Sequence, residues 1–275
     1  MRPLWLIEAD AFGSAVEPLK TEIRRQGMNF SVIHHETFTS GYLPRIADEN
    51  DCVLFIGTWP LWRHIQLHWS SWVPGGWCST DQLDCAVYYQ HLRDFVLNQK
   101  HFIMTGVEAI QRQEQIFAEL ATNGQVFVRP TGCLKVINGR CVDSASFASA
   151  LAPTRYDPTT RIVAAQPKSI GHEWRVVVAE HRPLAASQYY DRGLKKLTGG
   201  CPHEVWQFVE QVLAAVAWEP DQVFVMDVCE SEGKLYVLEL NGFSCAGLYE
   251  CDLTKVVSKA SDLAERAWKA THELN

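Results

Sequence analysis

The chain has 275 residues, 47% apolar and 21% charged, with a formal net charge of −7. That acidic balance excludes an extended nucleic-acid groove and a polybasic membrane surface, and no run of about 18 apolar residues exists to cross a bilayer. Nine cysteines, an odd number at irregular spacings without a Cys-x-x-Cys pair, predict reduced thiols in a cytoplasmic protein.

The opening run Met1–Asp10 is apolar but interrupted by acidic residues, which predicts a first strand at Leu4–Ala9 and no signal peptide. A helix over Val16–Gln26, ended by Gly27, and strands at Asn29–Ile33 and Asp51–Ile56 follow. Strand, helix and strand at these spacings predict a βαβ unit and a partly parallel sheet. Helices are predicted over Asp81–Asn98, with Asp81 near the N-cap, and over Ala109–Leu120. Beyond Gly124 the texture changes to short strand-like runs at Val126–Arg129, Lys135–Ile137, Arg161–Ala165, Glu173–Ala179 and Pro183–Tyr189. One amphipathic helix interrupts them, marked by Val205, Val209, Val212, Leu213 and Val216. A hairpin and a helix from Leu253 to about Leu274 close the chain. The expectation is an α+β protein, α/β-like over residues 1–105 and richer in antiparallel strands over residues 106–275.

The hairpin carries the strongest chemical signal. Apolar runs Val223–Val228 and Leu235–Leu240 flank a turn at residues 230–234. Alternation puts Glu239 and Asn241 on one face, and a turn centred near Glu232 and Gly233 brings Asp227 opposite or diagonal to Glu239, within roughly 4.5–8 Å. Two carboxylates and an amide among greasy strand residues form a poor core but a good hard-cation site.

Further upstream, Val126-Phe127-Val128-Arg129-Pro130 delivers Arg129 at a strand end, and Lys135 adds a second cation after a small-residue turn. This pair suits polyphosphate; the alternative is an ordinary hairpin with solvated basic residues. In His172-Glu173-Trp174-Arg175, Glu173 and Arg175 share a face. The carboxylate suits ribose hydroxyls and the guanidinium suits charge developing in phosphoryl transfer, and the alternative is a cross-face salt bridge. The run Ile162–Pro167 is a greasy strand ending in a turn whose free backbone groups, near Gln166, suit an adenine edge. Residues 187–193 end a strand and read singly as a solvated loop; the alternative is that the tyrosines, or the basic residues with Lys195 and Lys196, line a substrate or phosphate pocket. Five of the ten tryptophans fall between Trp59 and Trp77, which reads first as a core knot, then as a partner surface or an aromatic wall. Exposed tryptophans there would favour a homodimer. His64 and His68 share a helix face but lack a third metal ligand.

In this order the pieces resemble an ATP-grasp protein, and most closely the R2K clade, in which arginine stands at the strand position that other families fill with lysine. The matching segments are Phe-Val-Arg-Pro, the basic turn with Lys135, the strand to Gln166-Pro167, Glu-Trp-Arg, and Asp227 with Glu239-Leu-Asn241; together they cover about residues 124–250. The resemblance implies an ATP-grasp fold of two α+β subdomains behind a βα domain, with ATP and Mg²⁺ as cofactors. Arg129 and Lys135 would hold phosphates, the segment Ala165–Pro167 with Gln166 would meet the adenine, and Glu173 the ribose or a phosphate-site partner. Asp227, Glu239 and Asn241 would hold the metal. Arg175 would serve catalysis by stabilising a tetrahedral adduct. The implied reaction is ATP-dependent carboxylate–amine ligation through an acyl phosphate, on small-molecule or peptide substrates. The upstream lysine common in such folds is not identifiable, with Lys100 and Arg112 as stand-ins. Two other readings remain open: a nucleotide-binding module without turnover, and a small-molecule kinase of the same fold.

Overall fold

The parallel pattern at the N-terminus and the antiparallel pattern beyond it resolve into three sheets. The structure is a computed structural model and describes residues 2–34, 36, 47, 48, 50–132 and 137–272. The first part comprises β1 (Leu4–Glu8), α1 (Val16–Arg25), β2 (Phe30–Ile33), β3 (Cys52–Ile56), α2 (Trp59–His68) and β4 (Val73–Gly75). Its strands pair in parallel in the order β2-β1-β3-β4.

The expected helix over Asp81–Asn98 is shorter, α3 (Cys85–Leu92), because Asp84 and not Asp81 caps it. At its other end Arg93 turns to a φ of +30°, and Leu97 donates its backbone N–H to Val237 O at 3.0 Å. The next elements are β5 (His101–Thr105), α4 (Gly106–Gln111), α5 (Gln113–Leu120), β6 (Gln125–Pro130), β7 (Arg140–Asp143), α6 (Phe147–Ala150) and β8 (Arg161–Ala165). A capping box between Thr105 and Glu108 starts α4. A break at Arg112, where φ is −101°, divides the single helix expected over Ala109–Leu120. The strands form an antiparallel sheet in the order β5-β8-β6-β7. The strand expected over Lys135–Ile137 falls largely outside the described residues, which resume at Ile137.

The central sheet follows: β9 (His172–Ala179), β10 (Arg182–Asp191), β11 (Leu194–Gly199), α7 (His203–Ala215), β12 (Val223–Ser231) and β13 (Lys234–Gly242), before α8 (Leu253–His272). Its order is β11-β10-β9-β12-β13, and its pairs are antiparallel. One face packs Val176, Val178, Phe224 and Met226 against Val205, Val209 and Val212 of α7. The other packs Val177, Ala179, Val223 and Val225 into a core shared with Val256, Val257 and Leu263 of α8 and with Trp5 and Ile7 of β1. Period-two alternation continues that second face past Val177 to Arg175 and Glu173, and past Val225 to Asp227. The apolar end fixes the strands, and the polar end carries the charged side chains.

Of the clustered tryptophans, Trp62, Trp72 and Trp77 are buried and Trp69 stacks on Trp72 with ring centroids 5.1 Å apart, so the knot is core packing. His64 and His68 do share a helix face, with ring centroids 4.3 Å apart. No group of three or more metal-ligating His, Cys, Asp or Glu side chains occurs among the described residues, and no described helix is long and apolar enough to cross a membrane.

Candidate functional site

The β12–β13 turn sits at Glu232 and Gly233, both with positive φ (52° and 74°), as a two-residue primed hairpin turn requires. Counted back from that turn, Ser231 pairs with Lys234 and Val228 with Val237. Simple continuation would set Asp227 against Leu238. A register shift after Val228 instead pairs Asp227 directly with Glu239, and Val225 with Asn241. The bulge thus re-aims a carboxylate, a common use of such irregularities beside functional sites. Asn241 Nδ2 lies 3.1 Å from Asp227 Oδ2 and 3.1 Å from Glu239 Oε1, so the three side chains converge.

Two arginines close this group. Asp227 is 1% exposed and Arg175 8%, and the two are paired across β9 and β12. Arg175 Nε donates to Asp227 Oδ1 at 2.9 Å and Nη2 to Oδ2 at 2.7 Å, a two-pronged ion pair. Its Nη1 donates to Gly247 O at 2.8 Å. The guanidinium also lies over the Tyr249 and Tyr189 rings, 4.7 and 5.5 Å from their centroids. Burial alone would lower the Arg175 pKa, but the Asp227 charge and hydrogen bonds outweigh it and the net direction is upward. At the other end, Arg129 Nη2 reaches Glu239 Oε2 at 3.1 Å, so an ion pair links the β5-β8-β6-β7 sheet to the central one. Burial opposes the Arg129 charge, and coupling to Tyr88 and Glu239 outweighs it, again raising the pKa.

The Arg129 strand end is anchored from outside its own sheet. Thr131 O accepts from Cys85 N at 2.9 Å, and Thr131 Oγ1 donates to Asp84 Oδ2 at 2.8 Å. The cap of α3 therefore holds the turn that follows Arg129.

Glu173 lies farther along the same face and accepts from Tyr189 Oη at 2.9 Å. Burial raises its pKa, and repulsion from Asp227 and Glu239 adds to that against the Tyr189 hydrogen bond. Gln166, just beyond β8, donates to Thr122 Oγ1 at 3.0 Å. It lines a cavity of about 220 Å³ with Lys100, Lys168, Leu97 and Tyr236. Lys100 lines the same cavity while donating to Glu119 O at 2.7 Å, whereas Arg112 binds Gln115 on the exposed side of its helix.

Of the residues expected at the site, Arg129, Arg175, Asp227, Glu239 and Asn241 form one connected group. Glu173 adjoins it through Tyr189, Gln166 lies in the separate cavity, and Lys135 lies outside the described residues. Tyr189 corrects the solvated-loop reading of residues 187–193: it is buried and stacks on Tyr249 with centroids 5.3 Å apart. Tyr249 had no signal in the sequence, because nothing local links it to a strand far upstream.

The donor set fits a hard divalent cation. Asp227 and Glu239 offer carboxylate oxygens and Asn241 its amide from one face, beside the Arg175 and Arg129 guanidinium groups.

No curated protein matches the sequence. Among solved structures, D-cycloserine synthetase DcsG has a TM-score of 0.62 at 14% identity, covering 96% of this chain and 99% of that one. The ATP-grasp ligase PsnB complexed with minimal precursor has a TM-score of 0.61 at 12% identity, with 96% and 99% covered. A RimK domain ATP-grasp protein from Sphaerobacter thermophilus has a TM-score of 0.59 at 16% identity, with 97% and 98% covered. These likenesses extend over nearly the whole chain and establish an ATP-grasp, α+β fold. A family model, the ATP-grasp domain of R2K clade family 3, matches residues 82–260, and with the arginine-bearing strand and the Asp/Glu/Asn face described above, the chain belongs to that family.

Proposed function

We propose that the chain is an ADP-forming, ATP-dependent carboxylate–amine ligase that activates a carboxylate as its acyl phosphate. One observation carries the reading: a single buried sheet face joins a metal-type donor set to two arginines, with no protein nucleophile among them. In this account the 220 Å³ cavity beside Gln166 takes the adenine, Glu173 the ribose, and Arg129 with Lys135 the phosphates. Asp227, Glu239 and Asn241 would hold Mg²⁺, which would supply positive charge against the phosphates. Arg175 orients the substrate carboxylate and then stabilises the oxyanion of the tetrahedral adduct formed when the amine attacks. Each arginine is already desolvated and oriented by a carboxylate, so it exchanges one anionic partner for another and need not be ordered afresh. The likeness to PsnB with Mg and ADP, and to D-alanine–D-alanine ligase from Bacillus anthracis, supports both the cofactors and the reaction type.

The test is ADP and phosphate release from ATP and Mg²⁺ with a mixed pool of amino acids and short peptides. Asp227→Asn and Glu239→Gln should each abolish release; full activity in either variant would sink the metal assignment. Arg129→Ala should weaken ATP binding by about 1.5–3 kcal/mol, the range for charge-assisted hydrogen bonds, and unchanged affinity by calorimetry would make Arg129 structural.

The bidentate grip of Arg175 on Asp227 favours one second reading, a nucleotide-binding module without turnover. Thermal stabilisation by ATP and Mg²⁺ without ADP release in any pool would support it, and a stable phosphorylated product would support a kinase.

A further inference from the structure

The tryptophan knot packs into the core on one side and lines a cavity of about 340 Å³ on the other. This cavity adjoins the core that the central sheet shares with α7, whereas Arg175 and Asp227 continue the face that packs toward α8. Three indoles line it: Trp62 of α2, Trp69 at the C-cap of that helix, and Trp72 just before β4. Trp62 Nε1 donates to Cys78 O at 3.0 Å and Trp72 Nε1 to Asp48 O at 3.1 Å. Those two rings therefore bring carbon and π surface to the cavity, with their only donors committed elsewhere. One charge stands among them. Asp221, half-buried between α7 and β12, lines the cavity and accepts from Ser79 N through Oδ2 at 2.8 Å. Burial pushes its pKa up to about 6, and Glu219, the charge acting on it, has the same sign. Among the described residues no lysine, arginine or histidine lines the cavity.

These features discriminate among ligands. Asp221 repels an anion, and a neutral apolar molecule would bury the carboxylate further without a partner, which is costly. A cation wrapped in carbon meets both demands, because aromatic rings attract it through their quadrupoles and the carboxylate neutralises it. About 150 Å³ already admits a benzene ring, so 340 Å³ is ample for a trimethylammonium group or an arginine side chain. We infer that this cavity binds an organic cation, an alkylammonium or guanidinium group, either free or carried on a peptide. The inference is independent of the ligase reading, since the metal-type face contributes no residue to the cavity.

The experiment is calorimetric titration of the full chain at pH 8, where Asp221 is ionised. The probes are choline, the neutral alcohol in which carbon replaces its nitrogen, arginine amide, and a short end-blocked peptide with one arginine. Choline should bind at least about tenfold more tightly than the alcohol, the worth of a desolvated cation–π contact. Asp221→Asn keeps an acceptor for Ser79, and Ser70→Lys sets a cation at the exposed rim; each should reduce choline affinity about tenfold. Trp69→Leu should weaken binding too, and Trp69→Phe should retain most of it. Equal affinity for choline and the alcohol, no saturable binding of either cation, or choline affinity unchanged in both Asp221→Asn and Ser70→Lys would overturn the inference. Tighter binding of the peptide than of arginine amide would assign the cavity to a basic side chain on a peptide, and equal affinities would assign it to a free cation.

Discussion

Arg175 has two roles that pull on stability differently. It neutralises a buried carboxylate, and in the ligase reading it also meets the substrate's anion. Removing one partner of a buried pair strands the other charge, so Arg175→Ala should destabilise the fold by about 3–5 kcal/mol in urea titrations. Replacing both partners, Arg175→Met with Asp227→Leu, should restore most of that loss while activity stays absent. A double variant as unstable as the single would mean the pair is not the source. Asp221 offers a separate test through pH. It accepts from Ser79 N at 2.8 Å, and burial raises its pKa from 3.8 to about 6. A folded-state pKa above the unfolded one gives stability that is fully present below about pH 3.8 and is lost as pH rises through about 6. Asp221→Asn keeps an acceptor for Ser79 and should therefore gain up to about 3 kcal/mol at pH 7, two pKa units' worth, and almost nothing at pH 4. Equal gains at both pH values would contradict this origin. In the sequence, Arg175 was legible as a candidate but its partner was not: alternation puts it on a face with Glu173, while its pairing with Asp227 depends on which strands become neighbours.

The β12–β13 hairpin was the most legible element, because turn residues and alternating faces are local properties. The bulge at Leu238 was not, since nothing in Val237-Leu238-Glu239 announces an extra residue; it arises where the strand must pair on both the turn and the Asp227 side. The far end of β13 is equally constrained. A Cβ on Gly242 would meet Cys78 Sγ at 2.5 Å and Cys78 Cα at 2.7 Å, and backbone cannot yield cheaply. Gly242→Ala should cost about 1–3 kcal/mol by overpacking, whereas the same stability as wild type would show that the Cys78 segment moves freely. The α3 cap is the other element that tertiary contacts define. Asp84 serves both Ala86 N of its own helix and Thr131 beside Arg129. Asp84→Ala should lose about 1–2 kcal/mol of stability as an N-cap and weaken ATP binding as well. A stability loss with unchanged ATP affinity, measured by calorimetry, would uncouple the cap from the phosphate turn. The sequence reading set this helix's start at Asp81, since either aspartate satisfies local capping rules and only Thr131 distinguishes them.

At the scale of the molecule, parallel strands followed by antiparallel ones were readable as texture, but the assignment of strands to sheets was not. β5 lies before residue 106 yet pairs with β8, a contact that no local pattern encodes. The short β4 and β11 were missed because a three-residue strand and a wholly exposed one lack an apolar run. The outcome is a site at a junction: Arg129 comes from the β5-β8-β6-β7 sheet and the acidic face from the central one. Such a site assembles only when both sheets are in place. The central claim is that this junction activates a carboxylate by phosphoryl transfer, and oxygen transfer tests it most directly. Amino acids labelled with ¹⁸O in the carboxylate are incubated with the protein, ATP and Mg²⁺, and the released phosphate is weighed by mass spectrometry. The account predicts one ¹⁸O atom per phosphate, absent in Asp227→Asn; ADP formed with wholly unlabelled phosphate would contradict it.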